Sequence, residues 1–99
     1  MADSRKRFLV AYDIRDDKRL RRVHKAMKGF GWSMQYSVFI CDLDTMELMA
    51  MRTRLADLIH HGADSIAVVD LGNPRERGVQ CFYFMGVAPP LPSVGPVII

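Results

Sequence analysis

Apolar residues recur along this chain by turns in short runs and at helical spacing, and the changes of pattern mark its elements. Phe8 to Asp13 is an apolar run containing Phe, Val and Tyr, preceded by Arg5-Lys6-Arg7 and ended by acids. It predicts a buried first strand. Asp16-Asp17 can cap a helix, and Leu20, Val23 and Met27 follow at spacings that give one apolar stripe, until Gly29 and Gly31 stop it. Lys18, Arg21, Arg22, Lys25 and Lys28 make the other face cationic. Residues 32 to 42 are rich in β-formers without internal Gly or Pro, so they form either one long strand or a very tight hairpin.

Asp44 and Glu47 stand at capping-box spacing, and Leu48, Met51, Leu55 and Leu58 mark a second helix that Gly62 ends. Two more strands are predicted, Ser65 to Leu71 and Val79 to Met85, with turn chemistry in Gly72-Asn73-Pro74 between them. Strand, helix, strand region, helix, strand, strand predicts an α+β sandwich of ferredoxin-like type, an antiparallel sheet with both helices on one face. From Ala88 onward, Pro89, Pro90, Pro92 and Pro96 exclude a helix, and the chain ends in apolar Val97-Ile98-Ile99. The expected organisation is one domain over residues 1–86 and an extended arm over 87–99 that docks on a neighbouring subunit.

At 99 residues there is room for one core and no separate catalytic domain. A chain this short buries a modest share of its surface, which favours a dimer. The net charge of +3 hides an asymmetry, because ten of the 14 basic residues lie between Arg5 and Lys28 against three acids. That segment carries +7 and the remainder −4, which predicts one phosphate-attracting surface. Cys41 and Cys81 lack metal-ligand spacing and suit a reduced compartment. No apolar stretch spans a bilayer, so a cytoplasmic location is expected.

Three segments together carry a resemblance: Tyr12-Asp13-Ile14, Asp16-Asp17-Lys18-Arg19 and Gln35-Tyr36-Ser37-Val38-Phe39. In this order and spacing they resemble the signature of the CRISPR-associated Cas two family, over roughly residues 7 to 86. The resemblance implies a homodimer that exchanges a C-terminal strand or arm. It also implies partnership with the Cas one integrase in spacer acquisition, and a metal-dependent endonuclease activity described for some members on single-stranded RNA or duplex DNA. Two positions depart from the pattern. Ser33 stands where many members have a basic residue, and Ile40 where many have an acid.

Asp13 is the candidate catalytic and metal-binding residue. Read alone, an Asp at a strand end more often accepts local backbone hydrogen bonds. With the resemblance, two copies brought together by a dimer axis make an oxygen-ligand pair for Mg²⁺ or another divalent cation. Arg15, Lys18, Arg19, Arg22 and Lys25 are candidate nucleic-acid contacts. Tyr12, Tyr36 and Phe39 are expected to be core or interface residues, with Tyr12 and Phe39 as candidates for positioning substrate. Asp16 and Asp17 serve the helix start, while His24, His60 and His61 read as structural. Two rival functions remain, a stand-alone endoribonuclease toxin of VapD type and a non-catalytic nucleic-acid-binding scaffold.

Overall fold

The computed structural model describes residues 5–77 and 81–90. Strand β1 (Lys6–Asp13) leads into helix α1 (Asp17–Met27), then β2 (Trp32–Gln35), β3 (Val38–Leu43), helix α2 (Thr45–Leu58), β4 (Ser65–Gly72) and a single turn of helix α3 (Pro74–Arg77). The sheet order is β2-β3-β1-β4 with every neighbouring pair antiparallel. This is the ferredoxin-like arrangement expected from the element order. Residues 32 to 42 are therefore a hairpin, turning at Tyr36-Ser37, with an irregularity in register between Ser33 and Gln35.

Alternation along β1 and β3 sorts the two faces of the sheet. Phe8, Val10, Tyr12, Phe39, Cys41 and Leu43 join Val23 and Met27 of α1 and Met51 and Leu55 of α2 in one core, so both helices lie on the same face. Position 31 needs glycine here, because a Cβ would sit 2.3 Å from the Ile40 carbonyl oxygen and 2.6 Å from Cys41 Sγ. Only a residue without a side chain lets the end of α1 approach β3 this closely. The other face carries Arg7 beside Asp42, its partner in register. Arg7 Nε donates to Asp42 Oδ1 at 2.7 Å and Nη2 to Oδ2 at 2.8 Å, and the side chain is buried.

Caps fix both helix starts. The Asp16 carboxylate accepts from Arg19 N at 2.9 Å, and Asp44 and Glu47 exchange side-chain and backbone hydrogen bonds at 2.8 and 2.9 Å. Helix α2 ends at Leu58, before Gly62. At the end of β4, Gly72 has a φ of 83° and Asn73 Oδ1 accepts from Arg75 N at 2.8 Å, so Pro74 opens a helical turn where only a turn was expected.

The strand expected over Val79 to Met85 is not present in its described part. Residues 81 to 85 have no ladder partner, and positions 79 and 80 lie outside the described residues. Phe82 and Phe84 still stack, ring centroids 5.8 Å apart, with the period-two spacing that suggested a strand. Alternation needs a hydrogen-bonded neighbour to become a strand. Of the arm, residues 87 to 90 are irregular, and 91 to 99 lie outside the described residues.

Candidate active site and nucleic-acid interface

β1 delivers Asp13 at its exposed end, paired in register with Ser65 of β4. The Asp13 side chain is 66% exposed, and Arg15 Nη1 lies 4.0 Å from its Oδ1. Tyr12 points into the core, so by alternation Asp13 turns to the face away from the helices. Among the described residues, no group of three or more His, Cys, Asp or Glu side chains could hold a metal ion. One solvated carboxylate fits a cation that keeps most of its waters, and a second copy of Asp13 would improve the fit.

Beneath this end of the sheet, Asp64 ties the loop after Asp13 to the rest of the fold. Its side chain is fully enclosed and accepts from Arg19 Nε at 2.8 Å, Arg19 Nη2 at 3.1 Å, Arg15 N at 2.9 Å and His60 N at 2.8 Å. The Arg19 guanidinium, with the two backbone N–H groups, holds the Asp64 carboxyl well below the usual carboxylate range. Sequence reasoning missed this residue. Its donors lie four, 45 and 49 positions away, so the sole local sign is an acid directly before a strand.

Lys18, Arg22 and Lys25 are exposed on α1 with Arg21, and Lys28 continues the stripe at the helix end. Arg15 is exposed beside Asp13. Arg19 differs from the others in its group, since two of its nitrogens are engaged by Asp64 and its side chain is only 26% exposed. From α1, Arg19 thus holds Asp64, which anchors the loop after Asp13.

Tyr12 and Phe39 lie in the core, Phe39 with no exposed surface. Neither ring is open to a substrate, and both are better placed to support what surrounds them. The Tyr12 hydroxyl donates to the Tyr36 carbonyl at 2.8 Å and lies 3.1 Å from His24 Nδ1. Burial pushes the Tyr12 phenol up to about 12, which keeps it a neutral hydrogen-bonding group near neutral pH. Burial likewise pushes the Cys41 thiol up to about 12, which suits a small core residue and not a nucleophile. At the two departing positions, Ile40 is buried on the sheet face away from the helices, and the Ser33 hydroxyl donates to the Gln35 carbonyl at 3.1 Å.

The family model for CRISPR associated protein Cas2 matches residues 6–78. A CRISPR-associated endoribonuclease Cas2 of Thermodesulfovibrio yellowstonii is 40% identical over 87 residues, covering 77% of this chain and 96% of the relative. A CRISPR-associated endonuclease Cas2 of Halalkalibacterium halodurans is 33% identical over 95 residues, covering 91% and 96%. The crystal structure of Streptococcus pyogenes Cas2 superposes with a TM-score of 0.68 at 32% identity, covering 81% of this chain and 99% of that one. With the family model spanning both helices and all four strands, and relatives matched along nearly their whole length, this chain belongs to the CRISPR-associated Cas2 family.

Proposed function

We propose that the protein works as a homodimer in CRISPR adaptation with the Cas one integrase, binding nucleic acid along α1 and hydrolysing phosphodiesters at paired Asp13 residues. The observation that carries this reading is the placement of an exposed Asp13 carboxylate and exposed Arg15 at one end of the sheet, where the cationic helix α1 begins. Family membership favours it over a VapD-type toxin. The names of the relatives, endoribonuclease and endonuclease, support RNA or DNA as substrate.

In this reading Asp13 holds Mg²⁺ or a similar divalent cation, with the second ligand coming from the other subunit. When bound, the cation supplies charge stabilisation at a phosphate oxygen and lowers the pKa of a water. Arg15 and the stripe on α1 bind flanking phosphates, which fixes the backbone without reading sequence. Arg22→Glu with Lys25→Glu is therefore expected to weaken RNA and duplex DNA binding for all sequences and to flatten its salt dependence. Binding titrations at several salt concentrations measure this. A loss confined to particular sequences would point to base readout by the helix instead.

The dimer is supported by apolar surface at the edge of the sheet. Val68 and Val69 on β4 are 42% and 46% exposed, and Tyr83, Met85 and Val87 are exposed by 84% or more. An apolar strand whose outer edge has no partner among the described residues invites another strand. The second copy, with its C-terminal arm, is the proposed cover. Deleting residues 89–99 is expected to shift the protein towards monomer in sedimentation, or to weaken capture of the integrase. Unchanged sedimentation and capture would remove the arm from the interface.

A further inference from the structure

We infer that Tyr36, backed by His24, is a stacking platform for an unpaired base of single-stranded RNA at the end of the sheet that carries Asp13. The inference rests on the nucleic-acid reading above and adds a base contact to it. Tyr36 occupies the β2–β3 turn and is 52% exposed. One face of its ring lies on His24, with centroids 4.1 Å apart and planes within 8°. With that face covered, the opposite π face is the side to which a base can add.

The backing is rigid. The Tyr36 carbonyl accepts from the Tyr12 hydroxyl at 2.8 Å and from His24 Nδ1 at 2.9 Å, and since a carbonyl only accepts, Nδ1 carries a hydrogen. Phe39 meets the His24 ring edge-on at 5.4 Å from inside the core. Buried Tyr12 and Phe39 thus hold His24, and His24 holds Tyr36, so little ring freedom remains to be lost on binding.

The surroundings fit a nucleotide strand. Arg21 and Lys28 share the helix face of His24 by spacing, Lys25 is its neighbour, and all three are exposed. Phosphates on either side of a stacked base would meet these cations. The Tyr12 backbone N–H donates to the Ser37 carbonyl at 3.0 Å, so the turn lies at the same end of the sheet as Asp13. A base held on Tyr36 brings its strand to the end of the sheet that carries Asp13, on the helix side of that end.

Duplex bases are already stacked on each other, and an abasic strand has none to offer, which makes the platform testable against phosphate binding alone. Tyr36→Ala is expected to weaken binding of single-stranded RNA by about tenfold, as is Tyr36→Leu, which keeps an apolar cover on His24. Tyr36→Phe should bind as wild type. Duplex DNA and an abasic strand of equal length should bind all four proteins alike. An equal loss on duplex or abasic strand, or no loss on RNA, would overturn the platform while leaving the cationic helix in its role. Wild-type protein that binds neither RNA nor DNA would overturn the nucleic-acid reading itself.

Discussion

Asp13→Asn is expected to lower phosphodiester cleavage by at least about a hundredfold, because loss of a ligand should exceed the 10- to 100-fold cost of losing an outer-shell partner. The fold should survive. The Asp13 side chain is 66% exposed and its ion pair with Arg15 is 4.0 Å long, an interaction of about 0–1 kcal/mol at a solvated surface. Asn also keeps the shape of Asp. Nucleic-acid binding should persist or strengthen, since a homodimer loses two negative charges where phosphate approaches. Spacer integration with the integrase should persist if the protein serves there as a scaffold. Cleavage of RNA and DNA is therefore assayed beside integration in complex. Undiminished cleavage by a rigorously purified Asn variant would remove the metal role assigned to Asp13.

The family resemblance points to Asp13, while local pattern passes over the residue that supports it, and the reason is range. Periodicity and caps are local, and they predicted β1, both long helices, β4 and the capping box of Asp44 with Glu47. The hairpin stayed undecided because Tyr36-Ser37 contains none of the Gly, Asn or Pro signals that mark a tight turn. By local pattern Arg7 is a basic flank to β1. It lies inside the strand, and its buried pairing with Asp42 depends on a register across 35 residues. Its position on a basic helix groups Arg19 with the phosphate contacts, yet its partner Asp64 is 45 residues away. The segment 81 to 85 shows the converse. Its alternation is that of a strand, while strand formation depends on a neighbour that local pattern does not specify.

Asp64 also gives the loop a pH dependence whose sign is set by its partners. Its native carboxyl is held below the usual range, first by Arg19 and then by the backbone N–H groups of Arg15 and His60. The unfolded chain should protonate Asp64 near the ordinary value of about 3.9. Its stabilisation is therefore complete above about pH 5 and falls as pH drops through 3.9 towards the depressed native value. Asp64→Asn removes the charge and turns an amide towards donors, leaving Arg19 and one or more backbone N–H groups poorly matched. At pH 7 this should lower Tm by on the order of 10 °C, compared at one protein concentration because dimerisation would shift Tm as well. The gap should narrow below about pH 4, where the unfolded wild-type chain takes up a proton that its folded Asp64 still excludes. Cleavage should fall too, since the N–H of Arg15, two residues beyond Asp13, loses its carboxylate acceptor. Thermal melts from pH 3 to 8 measure the gap directly. A gap of constant size across that range would mean that the charge on Asp64 is not what holds the loop.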